Sequence, residues 1–305
     1  MELKFRPSKY FKFFSIVPAV ILVVGIIFMA VNGLNLGIDF SGGTVYTIAL
    51  NQDFAPSDME ALVRNHVKTE FRVAKSNDTD AVIQIQDKDA DPDAQNAMRA
   101  ELEADIKAQY PATTTIAVER VGATAGNDLI RNALLSVGIA CVLMLIYITI
   151  RFEFWSGLAA LVALLHDVLM MLCLVAVARI QINTSFIAAV LTIIGYSINN
   201  TIIVFDRIRD NRKRFGRSLT REELADKSIG ETLTRSINTS LTTLITIGML
   251  FILGADSIRQ FTLPIIVGLI CGTYSSVLLA APFWSICQGW ADKHHGAKQK
   301  GGKKA

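Results

Sequence analysis

Six apolar runs, each about as long as a bilayer is thick, most constrain what this chain can fold into. The hydrocarbon core of a membrane is about 30 Å thick, and roughly 20 apolar helical residues cross it. The chain is 51% hydrophobic with a mean hydropathy of +0.41, which a soluble domain rarely reaches. The first run is too long for a simple secretory signal and lacks a small-residue cleavage site, so we expect it to be retained. The sequence predicts six transmembrane helices, at about 13–32, 131–150, 156–178, 183–205, 238–254 and 262–286.

Charge is unevenly divided along the chain. Residues 33–129 contain 16 acidic and 8 basic residues, a net charge of −8, and the remainder has a net charge of +11. Basic residues precede the first run, follow the fourth and fill the tail, and an excess of Lys and Arg marks the cytoplasmic side. Six spans put these three segments on one side, so we expect both termini in the cytoplasm and residues 33–129 on the outer side of the membrane. The basic tail is more typical of contact with anionic membrane lipids than of nucleic-acid binding, and we expect no nucleic-acid partner.

These observations predict the domain organisation. The segment between the first two spans is too long for a connecting loop and should form a small domain. The predicted parts are a cytoplasmic N-terminus (1–12), helix 1 (13–32), an outer domain (33–129), helices 2–4 (130–205), a cytoplasmic connector (206–237), helices 5–6 (238–286) and a basic tail (287–305).

The outer segment has the pattern of an α+β domain. Its predicted elements are a strand (43–50), a helix (57–67), two strands joined by a turn around Asn77–Asp80, a second helix (93–110) and a last strand (113–121). The order βαββαβ is the ferredoxin-like pattern. That fold carries many functions and identifies none by itself.

The connector contains the pattern of an amphipathic helix. Thr220 and Glu223 have the spacing of a capping box, and apolar residues then recur at helical spacing up to Ile237. The sequence predicts either a helix that lies on the membrane surface and leads into the fifth span, or a helix packed against the bundle.

Two ionisable residues, His166 and Asp167, lie near the middle of the third span. An aspartate at such a depth costs roughly 2.5–3.5 kcal/mol on the insertion scale, so it normally faces the bundle interior and marks an ion or proton route. Histidine titrates near neutrality, and a histidine beside an aspartate suits proton handling. The alternative is a polar pair with a structural role only.

The fourth span ends in a polar stretch. Tyr196, Asn199 and Asn200 occupy one broad helical face, and an amide can bond across helices or ligate a cation but cannot carry a proton. Asp206 follows at the predicted cytoplasmic boundary, where we expect it to pair with Arg207, Arg209 or Arg235, either on an ion route or in a structural ion pair.

The first half of the fifth span, which follows Arg235, is rich in polar residues. They predict a helix that faces either a hydrated cavity or another helix. The polar residues of the fifth span are Asn238, Thr239, Ser240, Thr242, Thr243 and Thr246.

Gly268 and Gly272 form GxxxG in the sixth span, which weakly indicates close helix approach.

Motifs of known enzyme classes are missing. The sequence has no HExxH, no GxSxG, no Walker loop and no Cys–His nucleophile spacing. Only His166, Asp167 and Asp206 remain as candidates for an intramembrane enzyme, and we predict no catalytic residue, no cofactor and no metal site.

Four motifs together resemble a known family. They are "GIDFSGGT" (37–44), "VGATAGNDL" (121–129), "HDV" (166–168) and "GYSINNTIIVFDRIRDN" (195–211). In order and in position relative to the spans they are similar to SecF, the membrane subunit that works with SecD, and the likeness runs through essentially the whole chain.

The resemblance implies a fold and a mechanism. The fold is half of an RND-type transporter, with six spans and one outer domain. SecD would be the partner, and the pair would assist export of unfolded polypeptide through the Sec channel (SecY, SecE and SecG) by coupling a proton or sodium gradient to outer-domain motion. Arg235 matches the family arginine thought to bias the ion site. Asp39, Gly42 and Gly43 match the motif that shapes the junction between the first span and the outer domain, where paired glycines permit close backbone approach.

One departure from the family pattern bears on mechanism. SecF proteins commonly read "NDT" where this chain reads "NNT", so Asn200 replaces the aspartate usually assigned to ion conduction. Conduction would then rest on a carboxylate of SecD, or the amide ligates sodium, or coupling is weakened. We favour the first explanation, and Asp167 would take over part of the role.

Two other functions remain as alternatives. One is an RND-type exporter of lipids or small molecules, and the other is a passive scaffold of the translocon without ion coupling. RND exporters usually carry two six-span halves in one chain, and this sequence has one.

Overall fold

The computed structural model describes residues 6–76, 79–86, 92–216, 218–254 and 256–290. Lys4, Arg217, the centre of the predicted turn at 77–78 and the basic tail beyond residue 290 lie outside the described residues. In chain order the elements are α1 (Phe11–Asn32), α2 (Ile38–Ser41), β1 (Gly43–Ala49), α3 (Pro56–His66), β2 (Phe71–Ser76), β3 (Asp80–Ile85), α4 (Pro92–Gln109), β4 (Thr115–Val121), α5 (Ala123–Arg151), α6 (Phe154–Val177), α7 (Thr184–Phe215), α8 (Arg221–Leu253) and α9 (Asp256–Ser275), followed by a π-helical turn (Ser276–Ala280) and α10 (281–290).

The six predicted membrane helices are confirmed as α1, α5, α6, α7, α8 and the continuous segment formed by α9, the π-helical turn and α10. Each is long and apolar enough to cross a bilayer. The most apolar stretches of α6, α7 and the α9–α10 segment are 44–56% buried, whereas those of α1, α5 and α8 are 6–11% buried. The first three helices therefore form the centre of the bundle, and the other three lie around it.

Small residues bring the central helices close together. A Cβ on Gly268 would lie 2.5 Å from Ile193 Cγ1 on α7 and 2.8 Å from the sulfur of Met171 on α6. A Cβ on Gly272 would lie 3.2 Å from the Cβ of Ser197. The GxxxG pattern thus marks a real close approach of α9 to α7 and α6.

Pro18 in α1 removes the usual helical partner of one backbone carbonyl, which another helix contacts. Proline has no N–H, so the carbonyl of Phe14, four residues earlier, loses its usual helical partner. The hydroxyl of Tyr274 on α9 donates to that carbonyl over 2.5 Å. This bond satisfies the carbonyl and joins α1 to α9.

The outer domain has the predicted ferredoxin-like fold. All strand pairs are antiparallel and the order in the sheet is β2-β3-β1-β4. Alternate residues of β1 and β3, including Tyr46, Ile48 and Ile83, are buried in one core with Met59 of α3 and Ile106 of α4. The helices therefore cover one face of the sheet.

The predicted capping box at Thr220 and Glu223 is present and starts α8. From there α8 runs without a break for 33 residues. Leu224, Ala225 and Ile229 are buried, and Ala225 and Ile229 belong to the bundle core. Of the two alternatives, these contacts support a helix packed on the bundle over a helix lying on the membrane surface.

Candidate functional site

Asp167 lies where α6, α7 and α9 meet, and it is fully buried. Ser197 on α7 and Ser275 on α9 donate hydrogen bonds to its Oδ2 over 2.5 and 2.8 Å. His166 Nδ1 lies 2.9 Å from Oδ1, so these neighbours do contact each other. A Cβ on Gly272 would lie only 3.5 Å from Oδ2, which shows how closely α9 approaches the carboxyl group. Both carboxyl oxygens have partners, and one side chain joins three helices through bonds of the strong, charge-assisted kind when it is ionised.

His166 connects this carboxyl group to a cavity. Its second ring nitrogen, Nε2, is buried and has no hydrogen-bond partner among the described residues. The ring lines a cavity of about 180 Å³ between α1, α6 and α10, with Ser15 and Pro18 on the α1 side. Ser15 Oγ is also buried, with no partner in the described part of the chain. Most of its lining is apolar, so His166 Nε2 and Ser15 Oγ are the polar atoms to which a water in this cavity would bond. His166 therefore has a carboxyl group on one side and a largely apolar cavity on the other.

Asn200 is fully buried between helices, and neither atom of its amide has a partner among residues that the structure describes. Ser236 on α8 is also buried, and its hydroxyl has no hydrogen-bond partner among the described residues. One turn away on the same interface, Tyr196 donates to Ser240 over 2.9 Å, and Ser240 lies 2.6 Å from the hydroxyl of Thr273. Because α7 and α8 are antiparallel, Asn200 and Ser236 both lie one turn from this contact toward the loop that joins the two helices. They place unpaired polar groups at one level of the α7–α8 interface.

The polar contacts continue along α7 and α8 to that loop. Arg207 donates to Glu231 over 2.7 Å, and the amide of Asn211 donates to both Ser228 and Glu231, over 3.0 and 2.6 Å. We call the contacts from Tyr196 to Asn211 the α7–α8 seam. It links the buried interior of the bundle to the predicted cytoplasmic end.

The expected partners of Asp206 were wrong. Its carboxylate pairs with Arg151 at the end of α5, over 3.4 Å, and about half of each side chain is exposed. Arg207 is held by Glu231, and Arg209 points to the carbonyl of Arg151. Residues adjacent in a helix point about 100° apart, so sequence proximity to Asp206 did not decide its partner.

Two of the predicted site residues lie on the outside of the bundle. Asn199 is exposed on α7 and Arg235 is exposed on α8. On α7 the exposed positions Thr192 and Asn199 and the half-exposed Asp206 recur every seven residues, which places them on one face. On α8 the exposed residues of one face are Arg235, Asn238, Thr242 and Thr246. We call these two sets the exposed polar stripes.

Most of the hydroxyl groups in the fifth span are satisfied within their own helix. Thr239, Thr242, Thr243 and Thr246 donate to backbone carbonyls three or four residues earlier. Ser240 differs, because its hydroxyl contacts Tyr196 and Thr273 on two other helices. The hydroxyl-rich pattern therefore reflects local bonding as well as helix packing.

The junction motif connects the outer domain to the start of α7. Asp39 Oδ2 accepts a hydrogen bond from the backbone N–H of Thr184 over 2.9 Å, at the positive end of the helix dipole. Gly42 and Gly43 have φ of 72° and 145°, and a Cβ on Gly43 would lie 2.2 Å from the carbonyl oxygen of Ile85. Only glycine permits this approach of β1 to β3 without strain. The motif therefore turns the chain into the sheet while its carboxylate holds α7.

Replacing Asp39 with alanine should loosen the first turn of α7. Loss of one capping acceptor costs about 1 kcal/mol, which corresponds to amide exchange about five times faster over residues 184–187. Hydrogen–deuterium exchange followed by mass spectrometry measures this rate. Asp39→Asn keeps an acceptor oxygen and should show a smaller increase. Equal exchange in the wild type and the alanine variant would contradict this function of Asp39.

Several site residues were not found from the sequence, among them two serines and an asparagine. Ser197 and Ser275 contact Asp167 from other helices, and Asn211 bridges α7 to α8. Asn211 lies eleven residues after Asn200, about three helical turns along the same face, and that spacing is a signal that sequence reasoning had available. The two serines gave no such signal, because a serine in a helix usually bonds to its own backbone.

Two family models match the chain. The model described as "Protein export membrane protein SecD/SecF, C-terminal" matches residues 101–290. The model described as "SecD/SecF GG Motif" matches residues 27–53, which include Asp39, Gly42 and Gly43.

Named relatives and solved structures agree with these models. A protein translocase subunit SecF of Sebaldella termitidis is 36% identical over 90% of this chain and 88% of the relative. A protein translocase subunit SecDF of Bacillus subtilis is 35% identical over 91% of this chain but only 37% of the relative. The crystal structure of SecDF from Thermus thermophilus, described as a translocon-associated membrane protein, superposes with a TM-score of 0.80 at 31% identity, covering 95% of this chain and 39% of that one.

Proposed function

The chain belongs to the SecF family of protein translocase subunits, and we propose that it works with SecD to couple ion movement across the cytoplasmic membrane to protein export. Its role in protein export is that of a SecF-type subunit, and it is a multi-pass membrane protein. Three further features are proposed below. They are the surface that faces SecD, the route of the ion, and the contacts by which motion of α7 reaches the outer domain.

The exposed polar stripes are the observation that carries this proposal. They place two amides, a guanidinium, a carboxylate and three hydroxyls on the outside of two apolar helices. A charged or amide side chain facing lipid is costly, so such residues normally face protein or a water-filled space. A second six-span unit against α7 and α8 would remove the stripes from lipid. The SecDF relatives, of which this chain spans less than half, support SecD as that unit.

The ion route follows from which buried groups can titrate. Asn200 cannot carry a proton, yet its amide and Ser236 lack partners in the described chain and lie beside the stripes on α7 and α8. A carboxylate of SecD opposite Asn200 would supply the titrating group there, and Arg235 would bias its charge. Asp167 is the second titrating group, which His166 connects to the cavity beside α1.

Asp39 provides the mechanical link. A change in protonation near the middle of α7 moves that helix relative to α6 and α9, which hold it through Asp167. The start of α7 is bonded to Asp39, and the sheet of the outer domain begins four residues later at Gly43. Motion of α7 is thereby passed to the outer domain, which would hold polypeptide emerging from the SecY–SecE–SecG channel. In this arrangement both termini are cytoplasmic.

Cysteine cross-linking tests the surface and the coupling together. In a chain whose native cysteines are replaced, Asn199→Cys and Asn238→Cys should each form disulfides with single cysteines in SecD. Val24→Cys is the matched control, because Val24 is 57% exposed on α1, outside the stripes. Formation of the disulfide should lower export driven by an imposed ion gradient. Cleavage of the disulfide by a thiol reductant should restore export.

Other outcomes would contradict the proposal. Disulfides between two copies of this chain, in active membranes that lack SecD, would favour a self-sufficient RND-type exporter. Disulfides with SecD in membranes where collapse of the gradient leaves export unchanged would favour a passive scaffold. Cross-linking at Val24→Cys as strong as at the stripes would reject the proposed surface.

A further inference from the structure

A polar cavity lies at the far end of α7 from the outer domain, outside the ion route and the exposed polar stripes. It has a volume of about 360 Å³ and lies between the end of α7, the first turn of α8 and α10. Arg212 and Arg221 line it, with Trp284 and Gln288 from α10 and Thr220 at the start of α8. No acidic residue lines the cavity in the described part of the chain.

Two buried polar atoms in its wall lack partners. Trp284 is only 2% exposed, and its indole Nε1 has no hydrogen-bond partner among the described residues. Gln288 is 8% exposed, and its Oε1 likewise has none there. A buried donor normally has a partner, and an unpaired one costs free energy. Indole nitrogen is a donor only, so the missing partner of Trp284 is a hydrogen-bond acceptor.

The charged residues that line the cavity favour an anionic acceptor. They are Arg212 and Arg221, beside the first turn of α8, where Glu222 and Glu223 offset part of the positive end of the helix dipole. Arg212 also pairs with Glu153 on the α5–α6 connection, which uses only part of its five donors. An amide can present its NH₂ group as well as its oxygen, so Gln288 does not oppose an anion. Planar guanidinium groups and helix N-termini are the usual ligands of phosphate in proteins.

The position of the cavity indicates where the phosphate comes from. Trp155 at the start of α6 packs edge-on against Trp290 at the end of α10, with ring centroids 6.2 Å apart, and Phe154 adds a third ring. Aromatic rings collect at the level of lipid headgroups. Trp284 lies less than two helical turns before Trp290. If these rings mark the headgroup level, the phosphodiester of a lipid in that leaflet would lie at the level of the cavity.

We propose that this cavity binds the phosphate group of an anionic lipid, held by Arg212, Arg221 and the indole N–H of Trp284. Bound there, the phosphate joins the end of α7 to the start of α8 and to α10.

Lipid retention measured by native mass spectrometry tests the proposal. The full-length protein, released from detergent micelles, is titrated with short-chain phosphatidylglycerol, with phosphatidylcholine and with inorganic phosphate. We expect one phosphatidylglycerol to be retained in preference to phosphatidylcholine. Trp284→Phe keeps the ring but removes the donor, and it should weaken retention about tenfold. Arg221→Gln should weaken it by a similar factor.

Two control variants separate the cavity from general charge effects. Arg214→Gln removes an exposed arginine of α7 that does not line the cavity, and it should leave retention unchanged. Glu153→Gln breaks the ion pair of Arg212 without removing a donor, and it should maintain or strengthen retention. The melting temperature of each variant verifies folding, and Trp284→Phe carries the test if an arginine variant does not fold.

The outcomes are distinguishable. Inorganic phosphate that binds with the same dependence on Trp284 and Arg221, and that phosphatidylglycerol does not displace, would support a phosphate site filled from solution. Equal retention of phosphatidylcholine and phosphatidylglycerol would overturn the proposal. Retention that is unaffected by Trp284→Phe and Arg221→Gln, or weakened equally by Arg214→Gln, would also overturn it.

Discussion

Replacing Asp167 with asparagine should remove most of the export that an imposed ion gradient stimulates, by about tenfold or more, while the protein still folds. The substitution keeps the shape of the side chain. Its oxygen can accept from Ser197 and Ser275 as Oδ2 does, and its NH₂ group can donate to His166 Nδ1 in the other imidazole tautomer. The three contacts are kept and only the titrating proton is lost. The measurement is export of a secreted reporter into membrane vesicles at a series of imposed gradients.

Asn200→Asp is the companion variant for this experiment. It restores the carboxyl group that the family commonly has, and if a SecD carboxylate carries the ion it should leave export largely intact. Unchanged gradient dependence in Asp167→Asn would mean that Asp167 has a structural role only. An export defect in Asn200→Asp as deep as deletion of the protein would contradict the assignment of the titrating group to SecD.

Replacing Gly268 with alanine should destabilise the bundle by about 1–3 kcal/mol, and with valine by more. The added Cβ would meet Ile193 at 2.5 Å and Met171 at 2.8 Å, in a core that has no free space around this glycine. α9 would have to move away from α7 and α6, which also lengthens the bond between Ser275 and Asp167. We expect a lower melting temperature in detergent and less protein in the membrane.

Gly248→Ala is the matched control, with the opposite expected sign. A Cβ on Gly248 in α8 has open space around it, with no described atom beyond its own helical backbone within 4 Å. Gly248 is half-buried, and alanine within a helix is favoured over glycine by up to about 1 kcal/mol. A melting temperature that falls equally in both variants would show that loss of glycine itself, not the close helix contact, causes the effect.

Local patterns in the sequence predicted most of the fold. The six spans follow from runs of apolar residues, and the outer domain follows from strands and helices whose periods change in a recognisable order. The capping box at Thr220 was readable because both of its residues lie within one helical turn. Each of these features depends on residues close together in the chain.

The parts that were missed depend on residues distant in the chain. Ser275 is 108 residues from Asp167, and Arg151 is 55 residues from Asp206. The sequence identified the costly buried carboxyl group but not the groups that satisfy it, because any hydroxyl in six spans was a candidate. It also placed Asn199 and Asn200 on one broad face, whereas the structure leaves the first exposed and buries the second. A step of 100° between neighbours is enough to separate a surface residue from an interior one.

The uninterrupted length of α7 has a further consequence. Its 32 residues span about 48 Å at 1.5 Å per residue, and no proline divides them. Asp39 contacts its first residue, Ser197 meets the carboxyl group near its middle, and Arg212 reaches the cavity at its end. A stiff rod of this kind transmits an axial displacement with little loss. We therefore expect that a displacement of one end of α7 is accompanied by a displacement of its other end.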